Sequence, residues 1–280
     1  MDDLVSTEWL AAHLGEPGVV VLDATAHVLD PSRDARAEYL AGHIPGARFL
    51  DLASLTDRDS AVPAALPTAA QFAERMSALG VATGDRIVLY DDTPAHTSAR
   101  AWFMAWQHGA RFAILDGGLP KWRAEGRPLE TGPRRAGEGT FVTGTGFGAV
   151  RSKTEMLANL DSGSEQVLDA RGAGRFSGTE PEPRPGMASG HIPGARNLPY
   201  GQVLNPDGTF KDAAGLRAAF ESAGIDLARP VVTTCGSGVT AAVLLFALHL
   251  LGKQDVALYD GSWSEWGADP ATPKETAVPA

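Results

Sequence analysis

The sequence predicts an α/β protein of two tandem domains, each a mostly parallel sheet flanked by helices. Three observations carry that prediction. First, the chain repeats itself. The stretch "AGHIPGARFL" (41–50) returns as "SGHIPGARNL" (189–198), identical at eight of ten positions after a shift of 148 residues. Three further pairs follow in the same order, "VVLDAT" with "QVLDAR", "IVLYDD" with "VVTTCG", and "LDGGLPKW" with "YDGSWSEW". An offset of this size is a duplicated domain, since solenoid repeats recur every few tens of residues. Second, 280 residues suit two cores of roughly 130 residues each better than one. Third, apolar runs of strand length alternate with helix-like segments, the pattern of a sheet covered on both faces.

Each copy reads in the same order. A capped helix opens it, "STEWLAAHL" in the first and "SKTEMLANL" in the second, where Ser152 and Glu155 have capping-box spacing. A buried strand follows ("GVVVLDA", "EQVLDA"), its branched run too short for a helix. After the HIPGA turn come a helix ("AAQFAERMSALG", "AAGLRAAFESAG"), a second buried strand ("DRIVLY", "RPVVTT"), another helix, and a short strand ("FAILDGG", "DVALYDG"). The segment 127–150 is rich in Gly, Thr and Pro and reads as a connection with little core of its own. The expected organisation is a first domain over 1–128, a linker over 129–149 and a second domain over 150–280.

Composition excludes several classes of function. A net charge of −10 without a basic tract opposes nucleic acid as a partner. No stretch is long and apolar enough to cross a bilayer, and the acidic start lacks the pattern of a secretory signal. The seven histidines are scattered and the single cysteine cannot form a Cys-rich zinc site, so no metal and no cofactor is implied. One thiol also forbids an intramolecular disulfide, and a reducing cytoplasm is the expected location.

That cysteine, Cys235, ends the strand "PVVTT" and opens the turn Gly236-Ser237-Gly238-Val239-Thr240, which runs into "AAVLLFALHLLG". Ligands of open α/β sheets bind just beyond the carboxyl ends of strands. A glycine turn at a helix start points backbone amides inward, and the helix dipole adds positive potential that favours a thiolate. A lone cysteine is more often a small buried hydrophobe, but this placement reverses the odds. The first copy has Asp91 at the corresponding position and none of the glycines, so the fold does not require the cysteine. A cysteine phosphatase would carry an arginine six residues after the cysteine to clamp phosphate. Here that residue is Ala241, and the loop holds no cation.

In these motifs the chain resembles the rhodanese superfamily, specifically its two-domain sulfurtransferases: HIPGA in both copies, LDGG/YDGSW, and a cysteine loop only in the second. Thiosulfate-preferring members carry a cationic loop of the "CRKGVT" type, whereas "CGSGVT" and the stretch 174–195 are similar to the 3-mercaptopyruvate branch. The resemblance implies sulfur transfer from 3-mercaptopyruvate through a Cys235 persulfide to cyanide or a thiol, either a thioredoxin-like protein or a small thiol, with release of pyruvate. It assigns Arg175 and Arg184 to the substrate carboxylate, for which a guanidinium fork is suited. The amides of Gly236, Gly238, Val239 and Thr240 would hold the outer sulfur, Ser237 would donate a hydrogen bond or relay a proton, and Asp34 and His43 would assist. Each has a plainer reading. Arg175 and Arg184 read as loop-surface cations, and Asp34 as a residue at a helix N-terminus. His43 and His191 both open a HIPGA turn, which reads as turn architecture. Arg171 reads as an ion-pair partner or part of the cleft, Trp263 and Trp266 equally as cleft lining or core, and Asp23 and Asp169 as structural strand ends. The alternatives to the whole reading are thiosulfate:cyanide sulfur transfer and a non-catalytic binding module.

Overall fold

The computed structural model describes residues 1–134 and 137–276. The chain divides into two compact units. The first comprises Met1–Asp57, Leu66–Phe147 and Pro206–Phe210; the second comprises Arg58–Ala65, Gly148–Asn205 and Lys211–Ala280.

In the first unit the chain order is β1 (Leu4–Val5), α1 (Thr7–His13), β2 (Val19–Asp23), α2 (Ala35–Ala41), β3 (Arg48–Phe49), α3 (Ala69–Ala78), β4 (Arg86–Tyr90), α4 (Ser98–Gln107), β5 (Phe112–Leu115) and α5 (Gly118–Ala124). Its five strands pair in parallel in the order β1-β5-β4-β2-β3. The second unit repeats this with β6 (Ala149–Arg151), α6 (Lys153–Ser162), β7 (Gln166–Asp169), α7 (Ala173–Ser177), β8 (Arg196–Asn197), α8 (Ala213–Ser222), β9 (Val231–Thr234), α9 (Val239–Leu250), β10 (Val256–Tyr259) and α10 (Ser262–Trp266). Its strands pair in the order β6-β10-β9-β7-β8, again all parallel. The central strands are buried nearly throughout, as expected of apolar runs covered on both faces. The capping box at Ser152 and Glu155 is present at the start of α6.

Two expectations are corrected. An edge strand, β1 or β6, precedes the capped helix in each copy, and a two-residue strand, β3 or β8, follows each HIPGA turn. Such pieces are too short to show a period. The segment 127–150 also has more core than its composition suggests. Phe141 is buried, its ring 5.8 Å from Phe72 and 6.2 Å from Phe112. Thr83 donates to the Thr140 carbonyl and Phe147 to that of Trp106, both at 3.0 Å. A β carbon at Gly139 would collide with Val81 and one at Gly146 with Gln107. These glycines serve close backbone approach, and the segment is strapped onto the first unit.

The repeated HIPGA turn has the same construction in both units. His43 and Glu130 exchange backbone hydrogen bonds at 2.9 Å, and Gly46 donates to the Glu130 carboxylate at 2.7 Å. His191 and Glu275 do likewise at 2.8 and 2.9 Å, with Gly194 donating to the Glu275 carboxylate at 3.0 Å. Each imidazole donates from Nδ1 to a carbonyl, that of Tyr39 or Phe176, and stacks on the same residue's ring.

Candidate active site

In the second unit β9 delivers the chain to Cys235, which is 2% exposed and is a free thiol. The loop carbonyls turn toward the first turn of α10. Trp263 donates to the Cys235 carbonyl at 2.9 Å, and Ser264 donates to Gly236 from its amide at 2.8 Å and its hydroxyl at 2.6 Å. The Cys235 amide donates to Ser262 Oγ at 3.2 Å. Gly238 then takes a left-handed φ of 76° to start α9. With the carbonyls so committed, the amides of Gly236, Ser237, Val239 and Thr240 meet no acceptor among the described residues. Free amides at a helix start form an anion cradle.

The corresponding loop of the first unit is filled by its own side chain. Asp91 is buried, and its carboxylate accepts from the amides of Thr93 at 3.3 Å and Ser98 at 2.8 Å. Its backbone matches that of Cys235, since Leu119 donates to the Asp91 carbonyl at 3.0 Å. One loop is occupied by its own carboxylate. The other carries a thiol and leaves its amides open.

Both predicted arginines reach this loop. Arg184 Nη1 donates to Ser264 Oγ at 2.6 Å, and that hydroxyl holds the Gly236 carbonyl. A β carbon at Gly236 would lie 3.2 Å from Arg175 Nη2. Arg175 is fixed by Glu182 at 2.5 Å, and Glu182 also accepts from Arg171 at 2.6 Å. Arg171 is an ion-pair partner: it is buried, bonded to Asp169 at 2.6 Å and to the Gly190 carbonyl, with its guanidinium 4.3 Å above the Trp263 ring. Burying this cation is tolerable only because two carboxylates and a carbonyl surround it. Trp263 and Trp266 are fully buried in the core of the second unit.

Asp34 and His43 lie in the first unit. Asp34 is exposed and caps α2, accepting from the amides of Arg36 and Ala37 at 3.0 Å. His43 is buried in its turn, and its Nε2 has no partner among the described residues. Each therefore has a structural job.

Sequence reading overlooked Ser262, Ser264, Glu182 and Tyr200. The signal for the serines was present: the aligned motif has glycine and proline where the second copy has Ser262 and Ser264. Tyr200 leaves no pattern. Its amide donates to the Ala170 carbonyl at 3.2 Å, while the Ala170 amide donates to Thr234, the residue before Cys235, at 2.9 Å. Burial pushes its phenol up from the ordinary value, and negative charge at Cys235 adds to the shift. Among the described residues no three His, Cys, Asp or Glu are grouped to hold a metal ion, and no helix is long and apolar enough to cross a membrane.

Comparison with known proteins agrees with this geometry. The model of the rhodanese-like domain matches residues 6–125 and again 152–269. The 3-mercaptopyruvate sulfurtransferase of Escherichia coli K12 is 40% identical over 273 residues, which cover 97% of each chain. The thiosulfate sulfurtransferase of Bos taurus is also 40% identical, over 94% of this chain and 91% of its own. The crystal structure of SseA from Escherichia coli, a 3-mercaptopyruvate sulfotransferase of the "Rhodanese" fold, superposes with a TM-score of 0.85 at 38% identity, covering 95% of this chain and all of that one. With two copies of the domain and relatives spanning nearly its whole length, the chain belongs to the rhodanese family.

Proposed function

We propose that the chain is a sulfurtransferase that takes sulfur from 3-mercaptopyruvate onto Cys235 and passes it to a thiol or cyanide, releasing pyruvate. The observation that carries this reading is the pairing of a single thiol with a loop of unaccepted amides, beside two arginines. The Cys235 thiolate attacks the substrate sulfur. An S–S bond forms, the C–S bond breaks, and its electron pair goes to carbon as the enolate. The proton of the substrate thiol ends on that carbon, so the products are the Cys235 persulfide anion and pyruvate. The amides of Gly236, Ser237, Val239 and Thr240 hold the charged outer sulfur in the manner of an oxyanion hole, with the Ser237 hydroxyl as a further donor. Gly238 gives the turn its left-handed bend.

Arg175 and Arg184 take the substrate carboxylate, which lies two carbons from the sulfur. Tyr200 is the residue we assign to pass the proton to the enolate, because its phenol feels the charge on Cys235 and so stands near the reacting sulfur. The family resemblance adds assisting roles for Asp34 and His43; a His43→Gln variant that keeps the wild-type rate removes that residue from the mechanism. Identity alone does not choose the donor, since relatives named for either substrate are 40% identical. The loop supports mercaptopyruvate: the resemblance gives thiosulfate-preferring members cations within the loop itself, where this chain has Gly236 and Ser237 and keeps its arginines outside the loop. A thioredoxin-like protein or a small thiol is the proposed acceptor, and the reducing cytoplasm the proposed setting for a free thiol.

The test is a kinetic comparison of the two donors with cyanide as acceptor, together with the intact mass after donor alone. The expected result is a higher kcat/KM for 3-mercaptopyruvate and a mass increase of one sulfur, both lost in Cys235→Ser. A preference for thiosulfate overturns the donor, and absence of the sulfur adduct overturns the enzyme.

A further inference from the structure

We infer that Ser262 is a positioning residue for the Cys235 nucleophile, held in a glycine-like backbone conformation so that its hydroxyl can anchor the Cys235 amide. Three non-glycine residues among those described have a positive φ: Ala64, His96 and Ser262. Ala64 is exposed and His96 half-buried, whereas Ser262 is fully buried at a φ of 48°. The left-handed region is strained for an L side chain, and strain at a buried position persists only where its surroundings enforce it.

The duplication shows that the turn itself does not call for serine. The corresponding residue of the first unit is Gly118, with a φ of 57°. The next amide makes the same bond in both units, Leu119 to the Asp91 carbonyl at 3.0 Å and Trp263 to the Cys235 carbonyl at 2.9 Å. The first unit thus makes this left-handed turn with the residue suited to it. There a β carbon would stand 2.5 Å from the Asp91 carbonyl oxygen, while the second unit has room for a whole side chain. The strained residue occurs only in the copy that carries the thiol.

What the second copy gains is one hydroxyl with two commitments. Ser262 Oγ donates to the Tyr259 carbonyl at 2.8 Å and accepts from the Cys235 amide at 3.2 Å. It ties the end of β10 to the nucleophile's own backbone. Fixing that amide sets the direction of the Cys235 side chain and leaves the sulfur to the amides that follow it. This role rests on Cys235 being the nucleophile and is independent of which donor loads it.

Two variants separate the hydroxyl from the strain. Ser262→Gly removes the hydroxyl and relieves the backbone; Ser262→Ala removes the hydroxyl and retains a side chain in the left-handed conformation. Thermal melting should rank the alanine variant below the glycine variant. Sulfur loading should fall by a similar factor in both, roughly 10- to 100-fold, as for a misplaced reacting group. The pH profile of Cys235 alkylation by iodoacetamide should change in both, and it requires no sulfur donor. A glycine variant with wild-type loading and alkylation overturns the proposal, as does a rate loss that simply follows the loss of stability. Alkylation profiles that shift in a chain unable to use 3-mercaptopyruvate would leave the positioning role standing and remove the donor assignment.

Discussion

Arg175 and Arg184 reach the same loop with different prior commitments. Arg175 holds the buried Glu182 carboxylate, whereas Arg184 is exposed and donates only to Ser264 among the described residues. Arg184→Gln should therefore act on substrate binding alone. A charge-assisted hydrogen bond contributes about 1.5–3 kcal/mol, so the KM for 3-mercaptopyruvate should rise roughly 10- to 100-fold with little change in kcat or melting temperature. Arg175→Gln should raise KM and also lower the melting temperature, because Glu182 keeps only Arg171 as a partner. Tyr200 is tested by a difference between half-reactions. Tyr200→Phe should slow pyruvate formation about 100-fold, the scale of a lost general acid. It should leave unchanged the discharge of a preformed persulfide to cyanide, which makes no carbon–hydrogen bond. Equal slowing of both steps would reduce Tyr200 to a packing residue.

Strands β2 and β7 end in the same aspartate, and what stands beside each one decides its state. Asp23 and Asp169 both accept the amide two residues on, at 2.9 Å. Asp169 has the Arg171 guanidinium. Asp23 has Thr25, and burial pushes its carboxyl above the usual carboxylate range, against the hydrogen bonds from Thr25 and Tyr90. Removing one partner of a buried ion pair costs about 3–5 kcal/mol, so Asp169→Asn should be severely destabilised in urea. Asp23→Asn should be mild and pH-dependent. A carboxyl raised by folding binds its proton more tightly in the native state, so the wild type loses stability as pH climbs from the unfolded value through the folded one. Measured by urea unfolding, the asparagine variant should gain on the wild type as pH climbs above about 4, until the folded carboxyl has ionised. At this scale the sequence was legible where elements are long or repeated, as with β2, β4, β9 and the capped α6. It was not legible where two or three residues form an edge strand. It misled at Gly139 and Gly146, whose missing side chains permit close packing and so resemble a flexible link.

The duplicated halves differ in what occupies their loops. A new thiol in the first loop would not make a second reaction centre, because the six residues between Asp91 and α4 replace the three between Cys235 and α9 and lack its glycines. Asp91→Cys should therefore still add one sulfur per chain after donor treatment, read by intact mass, and should lose stability because the Thr93 and Ser98 amides are left without an acceptor. Cys235 was readable because chain-local features, a strand end, glycines and a helix start, announce it. That Arg175 and Arg184 stand beside this loop was expected only through a family pattern, since nothing local marks a loop arginine as near Cys235. Ser262 is bonded to Cys235 from 27 positions away in the chain, and Tyr200 feels its charge from 35 positions away, which one sequence does not display. The near-complete burial of Cys235 has one more consequence. A thiol so nearly enclosed admits a small electrophile such as iodoacetamide and screens out bulky ones, and whatever sulfur it carries on the loop amides sits behind the same screen. Size thus governs handover, and a small or slender recipient is served before a bulky one.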